Sequence, residues 1–305
     1  MVRPFRFGLQ LRDIGTLDAV VAAARDAARL GYAEVFTFDH IGRPDPFVPL
    51  VVAADAVPGL RIGPLVLNNE LHHPVLLART AATVDALTGG RLVLGLGTGY
   101  DQSEHDATGI ELREPGPRVR RFAESLAALR SLLDDGGTTV QGEFHRLAVD
   151  DLGVRPVQAH VPFLIGGHGR QVVRLAGRYA DIFQFTGLTH GVGGAPSPGG
   201  FRLADVLRRA EWLEDAAGDR SADIERSALV QVTRVGSGAD AALDELAATF
   251  EVDRALLVET PFVLAGSVEQ VVDEVERLRA TAGISHFVVR EAEGFAPVVA
   301  ALAGR

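Results

Sequence analysis

Residues 61–99 read RIGPLVLNNELHHPVLLARTAATVDALTGGRLVLGLGTG. RIGPLVL is almost continuously apolar, the composition of a parallel strand covered on both faces. PVLLARTAATVDALT is helix-like, and Pro74 suits a first helical position, where its missing N–H loses no hydrogen bond. RLVLGLGTG returns to strand composition. Strand, helix and strand in this order describe one parallel βαβ unit.

The same alternation extends in both directions. FRFGLQL precedes the helical run LDAVVAAARDAARLG, and EVFTFDH precedes a shorter one near FVPLVVAADA. Beyond residue 99 come RVRRFAESLAALRSLL, then PFLIGG with RQVVRLAGRYA, and DIFQFTG with RLADVLRRAEWLEDA. ALVQVTRV leads to a helical region ending in SVEQVVDEVERLRATAG, and HFVVR to FAPVVAALAGR. Val268, Val271, Val272, Val275 and Leu278 recur at intervals of three and four, which is one buried stripe of an amphipathic helix. Eight strand–helix units in an uninterrupted array favour a closed α/β (β/α)₈ barrel over an open doubly wound sheet, as a single domain over 1–305. Two segments break the rhythm. Residues 138–160 have strand composition around a glycine turn and read as a hairpin excursion. Residues 188–200, LTHGVGGAPSPGG, follow strand six and are expected to form a lid on the active-site face.

With 47% hydrophobic and 23% charged residues, a chain of 305 residues is a globular protein with a substantial core. The net charge of −10 argues against a nucleic-acid partner. The densest basic cluster, Arg118-Val119-Arg120-Arg121, reads as the solvated start of a helix. Cysteine is absent, which excludes disulfides and thiolate chemistry and fits a reducing compartment. No apolar run is long enough to span a bilayer, so a cytoplasmic protein without a membrane partner is expected.

In a barrel the site forms where strands end. Asp39-His40 follows strand two: a histidine there can move protons near neutral pH, and the adjacent aspartate can fix its tautomer or bind a polar ring edge. The alternative is a turn cap beside an incidental histidine. Gly95, Gly97 and Gly99 lack the spacing of a dinucleotide fingerprint, and the polar stretch DQSEHDATGIELREPG delays the next helix. These glycines either let a flat ligand approach the backbone or allow tight strand packing. Gly166, Gly167, His168 and Gly169 precede a helix, where exposed N–H groups suit a phosphate, with His168 and Arg170 adding charge; a simple glycine turn is the alternative. His72 and His73 splay apart on an extended chain with no third ligand at a helpful spacing, so no metal is expected.

Together, FGLQL, FTFDH, LTGGRLVLGLGTGY, VQGEFHRL with RPVQ, and IGGHGRQVVRLAGRYADIFQF resemble the bacterial luciferase-like flavin and deazaflavin oxidoreductases over nearly the whole chain. The resemblance implies a homodimeric barrel that binds coenzyme F420, or alternatively FMN, at its C-terminal face. It implies His40 as proton donor or acceptor and Asp39 as part of the cofactor site. It also implies a non-prolyl cis peptide at Leu65-Val66 behind the ring, Gly97, Thr98, Gly99 and Tyr100 beside it, and the phosphate at Gly166 to Gly169. Tyr100 stands where the family's sugar-phosphate dehydrogenases carry an acid, which argues against that substrate and leaves the phenol to stack on or hydrogen-bond to the ligand. The implied reaction is hydride transfer between the deazaflavin C5 and a small-molecule organic substrate with a C=C, C=N or C=O group. An FMN- and oxygen-dependent monooxygenase is the competing enzyme, and a non-catalytic flavin-binding barrel the competing class. The loops at 100–116 and 188–200 are expected to shape the substrate pocket.

Overall fold

The chain enters the barrel through β1 (Arg6–Gln10), α1 (Leu17–Arg29), β2 (Glu34–Thr37), α2 (Val48–Ala56) and β3 (Arg61–Pro64) in the computed structural model, which describes residues 2–190 and 196–305. Next come β4 (Leu67–Asn68), α3 (Pro74–Leu87), β5 (Leu94–Gly97), α4 (Gln102–Thr108) and α5 (Pro115–Asp134). The excursion holds β6 (Thr138–Gln141) and β7 (Arg146–Val149), followed by β8 (Phe163–Gly166), α6 (Arg170–Tyr179) and β9 (Ile182–Phe185). The short pair β10 (Thr189–His190) and β11 (Pro196–Ser197) leads to α7 (Leu203–Ala217), β12 (Glu225–Leu229) and β13 (Val232–Val235). The last part is α8 (Ala239–Phe250), α9 (Arg254–Glu259), β14 (Val263–Gly266), α10 (Val268–Ala282), β15 (Ile284–Val289) and α11 (Ala292–Leu302).

Helix limits follow local chemistry. The Thr16 side chain accepts from Ala19 N at the start of α1, and α3 begins on Pro74. On α10, Ser267 and Gln270 form a reciprocal capping box, Val271, Val275 and Leu278 are buried, and Gly283 ends the helix at φ 71°.

Among the described residues, one sheet has nine strands in the order β3-β2-β1-β15-β12-β9-β8-β5-β4, with every pairing parallel. β3 and β4 are successive halves of one barrel strand, separated by the cis Leu65-Val66 peptide. The ring closes where Ile62 bridges to Leu92, with Ile62 N donating to Arg91 O (3.1 Å) and Val93 N to Ile62 O (2.8 Å). This is the expected (β/α)₈ barrel. β6 and β7 form the expected antiparallel hairpin. Of the expected lid, β10 and β11 pair antiparallel, while residues 191–195 lie outside the described residues.

Three expectations need correction. ALVQVTRV is not one strand: β12 starts earlier and stops at Leu229, because Gln231 N and Val232 N both turn to Phe262 O and hand the chain to a two-stranded sheet of β13 with β14. The polar stretch after strand four does not delay a helix, since Asp101 caps the seven-residue α4 by accepting from Ser103 N. The cluster at Arg118 to Arg121 is not solvated throughout. Arg121 is buried against Glu70 and donates to Asn69 O and His72 O, so it braces the end of strand three.

The barrel interior is apolar in the middle and ionic at its N-terminal end. Phe36, Leu65, Val93, Leu164, Ile182 and Val288 pack together inside it. Below them Arg6 pairs with Glu34 and Glu225, and His286 Nε2 lies 4.0 Å from Glu34. Burial lowers the His286 pKa, while Glu34 and Glu225 act the other way.

Two stability predictions follow from this packing. An added Cβ on Gly95 would lie 1.9 Å from the Pro64 carbonyl oxygen. Gly95→Ala should therefore lower the unfolding free energy by more than about 3 kcal/mol in urea titration, since backbone rather than a side chain must yield. His286 has a folded-state pKa below its unfolded value of about 6.5, so the unfolded chain takes the proton first. Its contribution is full above about pH 6.5 and lost as pH falls below it. The urea midpoint of the native chain should drop more steeply on acidification than that of His286→Leu; equal slopes would assign the acid sensitivity elsewhere.

Candidate active site

At the C-terminal end of the barrel the strand ends surround a cavity of about 460 Å³. Its floor is the Leu65-Val66 peptide with Leu229. Leu65 N donates to Thr37 O (2.8 Å), and Leu65 O accepts from Gln10 Nε2 (3.3 Å). Val66 occupies a gap made by glycines. A Cβ on Gly97 would lie 2.7 Å from Val66 Cγ2, and one on Gly166 3.5 Å from Val66 Cγ1. Gly95 and Gly97 are thus explained by strand packing. Gly99 has φ +79°, lines the cavity, and would drive a Cβ to 2.0 Å from Asn68 Oδ1.

Strand two ends where the Thr37 hydroxyl donates to Pro46 O (2.7 Å), which pins the return of the loop carrying Asp39 and His40. Asp39 Oδ2 accepts from Asn68 N (2.9 Å) and lies 2.8 Å from His72 Nε2. The aspartate thereby joins strand two to strand three, and its carboxylate does not orient His40. That role falls to Glu104, whose Oε1 lies 2.6 Å from His40 Nδ1. A buried carboxylate at Nδ1 keeps a proton there and leaves Nε2 as the nitrogen that exchanges protons. The His40 side chain is 39% exposed and Glu104's 9%, so the imidazole is reachable while its partner is not.

Tyr100 meets His40 edge-on, with centroids 6.2 Å apart. Burial first, then Glu104 and Asp101, raise the phenol's pKa, so it is a neutral hydrogen-bonding group at neutral pH. On the far wall Arg290 donates to Gln10 Oε1 (2.8 Å) and Gln231 Oε1 (2.7 Å). Thr186 and Leu188, where the chain enters the 188–200 segment, complete the rim. His73 packs edge-on to His145 rather than toward His72, and among the described residues no three acids or histidines converge as a metal site. Nor is any described helix long and apolar enough to cross a membrane.

The luciferase-like monooxygenase family matches this sequence over residues 1–250. The chain belongs to that family. It is 32% identical over 148 residues, 48% of its length and 38% of the relative's, to a phthiodiolone/phenolphthiodiolone dimycocerosates ketoreductase from Mycobacterium sp. strain JLS. It is 27% identical over 296 residues, 86% of its length and 76% of the relative's, to a 4-hydroxyprotoasukamycin monooxygenase from Streptomyces nodosus subsp. asukaensis. Among the first curated relatives the matched part spans 38% to 52% of their length. In fold it resembles a coenzyme F420-dependent tetrahydromethanopterin reductase from Methanopyrus kandleri, with a TM-score of 0.77, 19% identity and 97% of each chain covered.

Within this luciferase-like barrel the structure brings Asp39, His40, Leu65, Val66, Gly99 and Tyr100 to one cavity. Gly97 and Thr98 belong to the strand end leading to it. Gly166 touches Val66 from the next strand, and Gly167, His168 and Gly169 run on to the exposed start of α6, outside the lining. Glu104, Gln10, Gln231 and Arg290 were not expected from the sequence. For Glu104 a signal existed: Asp101-x-x-Glu104 is an N-terminal capping pattern, which places a glutamate in the first turn of a helix just after strand four.

If Glu104 sets the His40 tautomer, Glu104→Ala should abolish its preference for a proton on Nδ1. The measurement is the nitrogen spectrum of ¹⁵N-histidine-labelled protein, read for His40. An unchanged tautomer in the variant would remove Glu104 from this role.

Proposed function

We propose that this chain is an F420-dependent oxidoreductase that transfers a hydride between the deazaflavin C5 and an organic substrate bearing a C=C, C=N or C=O group. The observation that carries the reading is the His40–Glu104 pair, a half-exposed imidazole on a buried carboxylate, set at the edge of a cavity with an apolar floor. A flavin-type ring fits that cavity. Its volume lies in the usual range for small-ligand sites, and the Leu65-Val66-Leu229 floor suits the face of a flat conjugated ring. When bound, the cofactor would supply or accept the hydride.

The rest falls to the chain's own side chains. His40 gives a proton through Nε2 to the double-bond atom that does not receive the hydride, or takes it in the reverse direction, and the Glu104 carboxylate stabilises the charged imidazole. Asp39, anchored by Asn68 N and His72, presents a polar edge to the ring. Gly97, Thr98, Gly99 and Tyr100 border it, and Gly166 to Gly169 offer the N–H groups at the start of α6 to the phosphate. The fold-level likeness to an F420-dependent reductase over 97% of both chains, and the sequence likeness to a ketoreductase, support this reading. A reduced-FMN monooxygenase is the second reading, favoured by the match to the Streptomyces monooxygenase over 86% of the chain.

Titration with oxidised F420 and separately with FMN distinguishes the two. F420 should bind more tightly, and Asp39→Ala should weaken it by about tenfold, as loss of a buried hydrogen-bonded carboxylate does. His40→Ala should bind F420 normally but reduce turnover by about 10² to 10⁴. Preference for FMN would move the chain to oxygen chemistry, and binding of neither would end the flavin reading.

A further inference from the structure

The cavity is lined by arginines that, among the described residues, are paired with no carboxylate. Arg12, Arg43 and Arg290 line it, although the protein carries a net charge of −10 and has acids to spare for pairing. Arg290, just past β15, is half-buried, and its hydrogen-bond partners are the neutral amide oxygens of Gln10 and Gln231. Amide oxygens orient a guanidinium without cancelling its charge, and they leave further N–H groups for a ligand. Gln10 also donates to Leu65 O, so Arg290 is fixed relative to the cavity floor.

Arg12, just past β1, adds a second charge of the same sign. Burial first and then Arg12 lower the proton affinity of Arg290, while the Tyr100 phenol acts the other way. Among the described residues the Arg12 side chain has no hydrogen bond or ion pair. The cavity's carboxylates are engaged elsewhere, Asp39 with His72 and Asn68 N, and Glu104 with His40. Two neighbouring like charges, one of them half-buried, are relieved when an anion enters between them.

We propose that Arg290 and Arg12 form an oxyanion-binding pole on the strand-eight and strand-one side of the cavity, which holds a carboxylate or phosphate group of the substrate. That the oxyanion belongs to the substrate rests on the reductase reading; that the pole binds one does not. The pole fixes one end of the substrate above the Leu65-Val66 floor and selects anionic substrates over their amides and esters.

The test is calorimetric titration of the protein, with and without bound F420, using benzoate, phenyl phosphate and the neutral benzamide. At least one anion should bind about tenfold or more tightly than benzamide, with an affinity that falls as salt is added. The better of the two identifies the headgroup. Arg290→Gln and Arg12→Gln should each remove that margin, Arg290→Lys should keep part of it, and Arg25→Gln, on the outer face of α1, should keep all of it. Arg12 is exposed, so its replacement reports binding without threatening the fold. Benzamide binding as tightly as the anions, or native anion affinity in both glutamine variants, would overturn the proposal. So would a loss of F420 affinity in Arg12→Gln equal to the loss for the anion, because the pole would then serve the cofactor. Anion binding with no F420 binding would leave the pole standing and sink the reductase reading.

Discussion

Val66 sits in a gap that exists because Gly95 and Gly97 carry no side chains, with Gly166 in contact from the next strand, and the arrangement of the site follows from that fit. Strand three enters the barrel as β3, turns at the cis Leu65-Val66 peptide and resumes as β4 against β5. With strand four stripped to glycine at the crossing, the two backbones approach until a Cβ on Gly95 would overlap Pro64 O. A well-packed interior transmits such constraints because its neighbours have no free volume to absorb them. The Leu65 carbonyl then meets Gln10, Gln10 holds Arg290, and the Asn68 N–H donates to Asp39. One local fit thereby sets the polar groups of strands one, two and eight around a common floor.

The two ends of the barrel treat buried charge in opposite ways. At the N-terminal end Arg6 pairs with both Glu34 and Glu225 beside a fully buried His286, and the interior is shut. At the C-terminal end the acids are paired with histidines, His40 on Glu104 and His72 on Asp39, while Arg290 rests on neutral amides. Charges already paired with one another are unavailable to a ligand, whereas groups held in orientation without a matching charge are poised for one. The barrel thus separates the acid–base pair and the cationic pole onto different walls of one cavity.

Much of this was legible in the chain. Eight apolar strand runs alternating with amphipathic helices define a (β/α)₈ barrel, because parallel strands need crossover helices and both faces of the sheet need cover. Asp39 and His40 could be found because strand ends are where a barrel places its chemistry. What could not be read was which carboxylate serves His40. Asp39 is adjacent in sequence, yet side chains of neighbouring residues on an extended segment point apart, and Asp39 turns to strand three. Glu104, 64 residues away, reaches the imidazole instead. The strand-four glycines left ligand approach and strand packing open in the same way, and the position of Val66 resolved Gly95 and Gly97 in favour of packing.

The split of ALVQVTRV into β12 and β13 has the same origin, because the divergence is caused by Phe262 O, a hydrogen-bond acceptor supplied by chain far downstream. Local composition and periodicity determined the order and type of the elements, since those depend on residues close together in sequence. Only the tertiary structure decided which polar groups meet across the cavity, because closing the barrel brings together strand ends that the sequence keeps tens to hundreds of residues apart.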